Sequence, residues 1–433
     1  MTRSKIALAS LGLLLAAAPS ASAGWGKATR KYSADVAADW FDFLYDVTKV
    51  EGNSPVVAAR NFGIAGVALY EAVVPGIPDH VSLVGQLNDL TSVPQPEVGK
   101  KYNWEIVAHA ALGRVAEMRF ATASNGSKLA IRTMEAQLGA RVSRKVKDLV
   151  VDDSTTHGIA VADAILAWAA TDGIATYNNC AYVPPVGPGL WVPTPPAFNP
   201  SPLQPCWGQL RPFVLASGGD CPPLPPPAFS TDPASEFYAV ANEVYTTVNS
   251  LTPDQQAIAV FWNDGPTVTG TPPGHWISIA AQILRAQEED LAFAAEAYAR
   301  LGMAVHDAFI QCWNFKYVYN LLRPVTYIQA NIPGAGSWLS FITTPAFPEY
   351  ASGHSTQSGA AATVLTAVFG AIPFTDDTHA IHNPELGFPS RSFVDFAEAA
   401  QEAALSRLYG GIHYRPANEN GFAAGVCVGQ THL

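Results

Sequence analysis

The sequence predicts an all-α protein made of helical bundles, with a long proline-rich segment between two helical halves. Apolar residues recur at helical spacing over most of the chain. No long run alternates between apolar and polar residues, as a half-buried strand would. The 433 residues, of which 48% are hydrophobic and 14% charged, supply ample material for a globular core.

The first 23 residues predict a secretory signal peptide. Arg3 and Lys5 precede an apolar run over 6–18, and the small residues at 21–23 fit a cleavage site. The run is too short for the alternative, a membrane anchor. We therefore expect a secreted protein, periplasmic or extracellular, in which disulfides can form.

The N-terminal half, 24–181, is predicted to be helical over 34–75, 104–148 and 155–171. Proline then crowds residues 182–227, and five of the six residues at 222–227 are proline. No long helix can pass through such a segment. Its aromatic residues argue against a free linker, so we expect an ordered insertion on the surface.

The C-terminal half, 228–433, shows the helical pattern again, and the residues with chemical potential lie here. The predicted helices cover 235–250, 253–263, 276–303, 304–322, 353–369 and 393–408. The most apolar stretch after the signal, 359–374, is short and alanine-rich, and we expect a buried core helix there rather than a membrane span.

Charge and cysteine content limit the function further. The net charge of −11 argues against a nucleic-acid partner, which would require a basic face. Cys180, Cys206 and Cys221 lie in or beside the proline-rich loop, and we expect a disulfide between two of them without assigning which. Cys312 is expected to be a small core residue, and the odd number of cysteines leaves at least one free thiol.

The first of three chemically notable segments contains Lys316 and Arg323. These residues are seven apart, so on a continuous helix they would share one face, and Pro324 would end that helix. Taken alone, the pair would indicate a solvated cationic edge.

The second segment is Ser352-Gly353-His354, at the start of an alanine-rich helix. A serine cap and exposed backbone N–H groups at a helix start form an anion site. An imidazole beside the anion can transfer protons near neutral pH. Taken alone, these three residues would indicate an ordinary cap with an incidental histidine.

The third segment runs from Arg407 to His413. Gly410 and Gly411 predict a turn after a helix, which returns His413 toward Arg407. Taken alone, the arginine would pair with a surface acid and the histidine would lie in the core. Together, the three segments provide three cations, two imidazoles, a hydroxyl and backbone N–H groups, which is a donor set suited to a tetrahedral oxyanion.

These segments resemble the pattern Lys-x6-Arg-Pro, Ser-Gly-His and Ser-Arg-x5-His of the vanadium haloperoxidase and type 2 acid phosphatase superfamily. The resemblance implies the helical-bundle fold of that family. It also implies that His413 is the apical vanadium ligand, or the nucleophile of a phosphatase. His354 would act as an acid and base, and Lys316 would polarise the reacting oxygen. The implied vanadate-binding residues are Lys316, Arg323, Ser352, Gly353, His354 and Arg407.

Aromatic residues near the motifs resemble the pocket wall of the chloroperoxidase-like members. Trp313 and Phe347 match aromatic positions of that wall, and Pro345 belongs to it. Ala417 departs from the pattern, because many relatives have an acid there. If that acid orients His413, another group must do so, and the sequence offers Asp307 and Glu419 as candidates.

The resemblance implies a vanadate-dependent enzyme that oxidises halide with hydrogen peroxide and halogenates an organic acceptor. The anion ligands do not exclude a vanadate-free acid phosphatase with a phospho-histidine intermediate, or a non-catalytic oxyanion-binding protein. The aromatic wall and the predicted export favour the haloperoxidase. We expect no embedding in a membrane, and the sequence predicts no oligomeric state. His275 is expected to cap a helix rather than to reach the pocket.

Overall fold

The computed structural model describes residues 25–433, so the predicted signal peptide lies outside the described residues. Helices account for most of this part of the chain, which also contains a single two-stranded antiparallel sheet of strands β1 and β2. In chain order the elements are α1 Asp35–Val50, α2 Pro55–Val73, α3 Trp104–Arg119, α4 Asn125–Ser143, α5 Asp148–Ala169, α6 Ile174–Tyr177, α7 Glu236–Asn249, α8 Pro253–Phe261, α9 Thr271–Ala286, α10 Leu291–Tyr319, α11 Pro324–Asn331, α12 Gly353–Phe369, β1 Phe374–Asp376, α13 Thr378–His382, β2 Arg391–Phe393, α14 Phe396–Tyr409 and α15 Arg415–Gln430. The all-α prediction is confirmed.

Helix α10 connects the two halves of the molecule. It packs against α2 on one side and α12 on the other. The crossing with α2 is close because small residues meet there: a side chain at Gly63 would collide with Gly302, and one at Gly66 would collide with the backbone of Tyr298. A continuous cluster of buried apolar side chains runs from α1 to α14. The two halves therefore share a core.

Helices α12 and α15 make the second close contact, which holds the pocket segments together. A Cβ atom at Gly425 would overlap the carbonyl of Thr356, and one at Gly421 would lie 3.1 Å from the carbonyl oxygen of Ser352. Ser352 N also donates to the carbonyl of Ala417 at 3.1 Å. The start of α12 is thus fixed against the first turn of α15, which directly follows His413.

The proline-rich segment 182–227 runs along the surface with several buried aromatic side chains, and its helical structure is confined to a 3-10 turn at Trp207–Gln209. Trp191, Trp207 and Phe213 are buried, whereas Phe198 is exposed. Its backbone pairs with the start of the pocket region, since Trp191 N donates to Asn320 O at 2.7 Å. The expectation of ordered, non-helical chain therefore agrees with the structure. Its description as an insertion, and the boundaries of the two halves, stay predictions.

Helix boundaries were predicted unevenly. The range 353–369 coincides with α12, whereas the division at 303 and 304 is wrong, because those residues lie inside α10. The break between α9 and α10 instead falls at 287–290. Helices α6, α11, α13 and α15 and the short two-stranded sheet were not predicted.

The structure contains the one disulfide that the sequence predicted and a second one that it did not. Cys180 pairs with Cys206, as one of the open pairings allowed, and Cys221 pairs with Cys427 on α15. Cys312 is the free, buried thiol among the described residues. Within residues 25–433, the helix that is long and apolar enough to resemble a membrane span is not 359–374 but Pro55–Gly76, and 94% of its most apolar window is buried inside the protein, as in a core helix.

Candidate active site

Lys316 lies in the last turn of α10 and is fully buried. Its ammonium donates to the carbonyls of Pro348 at 3.2 Å and Glu349 at 2.9 Å, and to that of Ala351. An ammonium has three protons, so these bonds use all of its donors. Burial lowers the pKa of Lys316 to about 8. Lys316 therefore shapes the loop that leads into Ser352.

Arg323 does not share a helix with Lys316, which corrects the sequence prediction. Helix α10 ends at Tyr319, Asn320 takes a left-handed conformation with φ 47°, and Arg323 is the N-cap residue of α11. The chain turn still brings Arg323 to the pocket. Its Nε donates to Phe347 O at 2.9 Å, and its Nη1 lies 3.2 Å from His413 Nε2.

The Ser-Gly-His segment forms the predicted helix start. Ser352 is the N-cap of α12, and its hydroxyl oxygen accepts from Ser355 N at 3.4 Å. Gly353 lies against the ring of Trp313, where a Cβ atom would be 3.4 Å from the ring. His354 occupies the first turn. Burial and the neighbouring Arg407 charge hold the pKa of His354 well below its usual value, so its imidazole is neutral at pH 7.

Arg407 and His413 approach the same point from the end of α14. Arg407 is buried, and its Nη2 donates to the carbonyl of Trp262 at 2.8 Å. The turn after α14 uses Gly411 with φ 75°, a conformation that favours glycine. Burial lowers the pKa of His413 well below its usual value, and Arg323, Lys316, Arg407 and His354 act in the same direction. The three predicted segments therefore converge on His413.

Glu349 orients His413, and the sequence reasoning missed it. Its Oε1 accepts from His413 Nδ1 at 2.8 Å and from Tyr414 N at 3.0 Å, with both side chains buried. Burial raises the pKa of Glu349 to about 7, against the opposite effect of Arg323 and Lys316. With Nδ1 protonated and donating, the neutral imidazole keeps its lone pair on Nε2.

The two acids suggested by the sequence serve other purposes. Asp307 accepts from Phe213 N at 2.7 Å and from Val214 N at 2.9 Å, so it anchors the proline-rich segment. Glu419 lies 3.7 Å from Arg415 at the surface. One signal did point to Glu349: it is the lone acid in the apolar run 342–351 just before Ser352.

Two aromatic rings form an apolar side to the pocket. The ring centroids of Trp313 and Phe347 are 5.1 Å apart, and the Arg323 guanidinium lies 4.9 Å from the centre of the Phe347 ring. The indole Nε1 of Trp313 is buried and has no hydrogen-bond partner within the described chain. Pro345 lies behind this wall, where its carbonyl accepts from Phe347 N at 2.9 Å.

Several polar atoms of the pocket have no partner among the described residues. Besides Trp313 Nε1, these buried atoms are Arg323 Nη2, His354 Nε2 and Glu349 Oε2. An unpaired buried donor costs about 1–3 kcal/mol. A guanidinium N–H and an imidazole nitrogen beside the His413 lone pair are suited to an oxyanion whose central atom accepts a nitrogen ligand. The residues present therefore fit vanadate.

His275 does not cap a helix, which corrects that expectation. It lies inside α9, whose N-cap is Gly270, and it is fully buried. Its two ring nitrogens lie 2.9 Å from Asp264 Oδ2 and 2.7 Å from Asp376 Oδ2.

Comparisons with known proteins agree with this fold and pocket. Residues 296–433 match a family model described as the VCPO second helical-bundle domain. A bacterial vanadium-dependent iodoperoxidase of known structure is 38% identical, with a TM-score of 0.84 over 93% of this chain and 96% of that one. The holo and apo structures of a bacterial vanadium-dependent chloroperoxidase are each 16% identical with TM-scores of 0.64, over 89% and 87% of this chain and 94% and 92% of theirs, and show the shared fold alone. A search of curated proteins found no match.

The helical fold and the buried cationic pocket define a class, that of helical enzymes with a site for an anion. The extensive likeness to the iodoperoxidase makes the assignment specific. The chain belongs to the vanadium haloperoxidase family.

Proposed function

We propose that this protein binds vanadate in the pocket around His413 and uses hydrogen peroxide to oxidise a halide. The products are hypohalous acid equivalents that halogenate organic acceptors. The observation that carries the proposal is the hydrogen bond from His413 Nδ1 to Glu349, which leaves the Nε2 lone pair beside the Arg323 guanidinium, 3.2 Å from its Nη1. The family of the chain supports the same chemistry.

In this proposal His413 Nε2 would be the vanadium ligand, and the guanidinium groups of Arg323 and Arg407 would hold the oxygens. Arg323 Nη1 lies near that nitrogen and would turn toward the oxyanion when it binds. The pKa values of Arg323 and Arg407 are lowered by burial to about 10 and about 9, so both remain charged at neutral pH. The N-terminus of α12 at Ser352 and Gly353 adds backbone donors.

Bound vanadate would supply a Lewis acid that activates peroxide without changing its own oxidation state. The residues of the chain manage protons and solvent. His354 is neutral at pH 7, so its imidazole can accept a proton from hydrogen peroxide. Lys316 would contribute positive charge to the pocket while its ammonium remains bonded to the loop carbonyls. Trp313 and Phe347 keep water from the oxidant and offer an apolar surface to a halide.

The test compares halide oxidation with phosphate ester hydrolysis. The purified protein is loaded with vanadate and assayed with peroxide and iodide, bromide or chloride, with iodide first because the 38% identical relative is an iodoperoxidase. The vanadate-free protein is assayed in parallel for phosphatase activity. We expect halogenation that depends on vanadate and disappears in His413→Ala. Phosphate release that vanadate inhibits, without halogenation, would instead identify a phosphatase.

A suitable control is His382→Gln. His382 is also buried and paired with acids, Asp42 and Asp46, but it packs near α1, outside the pocket. This variant should retain vanadate-dependent oxidation. Loss of oxidation in both variants would indicate general damage to the fold rather than loss of the vanadium ligand.

We also propose that the protein is exported. The Cys180–Cys206 and Cys221–Cys427 disulfides support this, since such bonds persist in oxidising compartments. Amino-terminal sequencing of protein recovered outside the cytoplasm should give a start near residue 24. A cytoplasmic chain with residues 1–23 intact would contradict the proposal.

A further inference from the structure

A buried ion cluster lies behind the pocket and takes no direct part in the proposed chemistry. His275 is bonded on one side to Asp264, which follows α8, and on the other to Asp376 at the end of β1. All three side chains are at most 1% exposed. A carboxylate on each ring nitrogen favours the doubly protonated imidazole, and the pKa of His275 is raised to about 10 by both acids despite its burial.

The same cluster contains His379, and its geometry argues against a metal site. Side-chain ligand atoms of Asp264, His275 and His379 lie within 4.8 Å of one another. However, His379 Nε2 donates to Phe261 O at 2.7 Å, and its Nδ1 lies 3.3 Å from Asn383 Nδ2. Since every ring nitrogen of both histidines already has a partner, a metal ion bound to one nitrogen of each ring would have to displace two hydrogen bonds.

The cluster instead fixes the chain segment that leaves α8. The ring of His275 stacks on Trp262, with centroids 4.5 Å apart and planes 21° apart, while its Nδ1 holds Asp264. His379 holds the carbonyl of Phe261. Three consecutive contacts thus fix residues 261–264 in position and orientation.

This segment touches two residues of the pocket. The Trp262 carbonyl accepts from Arg407 Nη2 at 2.8 Å, and the Trp262 backbone also lies close to the His354 ring. Asp264 Oδ1 is buried without a hydrogen-bond partner in the described chain, so the negative charge of Asp264 stabilises positive charge on nearby side chains. That charge opposes the lowering of the pKa of both Arg407 and His354 by burial.

We infer that His275 is a positioning residue for the oxyanion pocket. Clamped between Asp264 and Asp376, it fixes the Trp262 carbonyl, which in turn directs the Arg407 guanidinium and the His354 imidazole. This inference rests on the proposed function, because it assumes that vanadate occupies the pocket. Supporting groups of this kind typically change the affinity of a metal site by about 10- to 100-fold when they are replaced.

A substitution of Asp376 tests the inference without altering a residue that contacts the pocket. Its carboxylate accepts from His275 Nε2 and Thr378 N, and it makes no hydrogen bond to Lys316, Arg323, Arg407, His354 or His413. Any effect of Asp376→Asn on the pocket must therefore pass through His275 or through α13, which starts at Thr378 and carries His379. The matched control is His382→Gln, which also removes a buried histidine with two acidic partners.

The experiment measures vanadate binding calorimetrically, with the unfolding temperature recorded for every protein. We expect Asp376→Asn and His275→Gln to weaken vanadate binding about 10- to 100-fold, and His382→Gln to change it less than twofold. If the parent protein does not bind vanadate, the proposed function fails. If the parent binds and all three variants bind equally well, whatever their unfolding temperatures, the inference about His275 is overturned.

A measurement on the unaltered protein covers the case in which the variants do not fold. Imidazole nitrogen signals of 15N-histidine-labelled protein are recorded before and after vanadate is added. We expect the signals of His275 to shift with those of His354, and those of His382 to stay in place. An unchanged His275 signal at saturating vanadate would overturn the inference.

Discussion

Replacing Glu349 by glutamine tests whether this residue prepares His413 for vanadium. The glutamine preserves the size of the side chain, and its amide oxygen can still accept from His413 Nδ1, but the charge is lost. A hydrogen bond to a charged group contributes about 1.5–3 kcal/mol, against about 0.5–1.5 kcal/mol for a neutral one. The midpoints of these ranges differ by about 1.2 kcal/mol, close to the roughly 1.4 kcal/mol that corresponds to a tenfold change in affinity. We therefore expect the Kd for vanadate to rise about tenfold in Glu349→Gln.

The assay is a calorimetric titration with orthovanadate at pH 8. This pH lies above the pKa of Glu349, about 7, so the carboxylate of the parent protein is ionised. Glu71→Gln is the matched control: Glu71 on α2 is buried, accepts from Ser82 Oγ at 2.7 Å, and lies outside the pocket. It should lose stability without losing affinity. Equal Kd values for Glu349→Gln and the parent at pH 8 would refute the role given to Glu349.

Three further predictions concern catalysis, packing and pH. His354→Ala should retain vanadate binding within a fewfold but lose peroxide-dependent oxidation, and unchanged turnover would remove His354 from the mechanism. Gly425→Ala should cost about 1–3 kcal/mol in urea unfolding, because the added methyl meets the carbonyl of Thr356, whereas Gly336→Ala, which meets nothing within 4 Å, should be neutral. Equal stabilities of these two variants would contradict the packing argument. Burial lowers the pKa of His109, His157 and His306 to about 4, whereas histidines in an unfolded chain are protonated near pH 6.5. Their contribution to the unfolding free energy should therefore be fully present above pH 6.5 and fall as the pH drops toward 4, by up to about 1.4 kcal/mol per pH unit for each histidine. A flat unfolding free energy between pH 6.5 and 4 would contradict this.

The pocket could be predicted because its residue types are unusual in combination and their order along the chain is distinctive. Helix α12 was also predictable, since Ser352 caps its start and Gly370 follows its end. Both signals are local, so they can be read without knowing which distant segments meet. The helix break before Arg323 was not readable in this way, because the left-handed residue that causes it is Asn320 rather than a glycine.

Contacts between distant segments account for the features that were missed. Glu349 is one acid in an irregular loop, and its function depends on the meeting of that loop with His413. Helix α15 was missed because Gly421, Gly425 and Gly429 lower its helix propensity. The structure shows why they are there: α12 approaches too closely at these positions for side chains. The same glycines therefore lower the helix propensity of α15 and allow its close contact with α12.

The long helix α10 also determines how far the protein can be shortened. At 29 residues it extends for about 44 Å, and its first half packs on α2 while its last turn carries Lys316. A fragment starting near residue 290 would contain every pocket residue. It would also expose to water the apolar side of α10 that packs against α2. We expect such a fragment to aggregate, because the N-terminal half covers apolar surface that the catalytic half would otherwise expose.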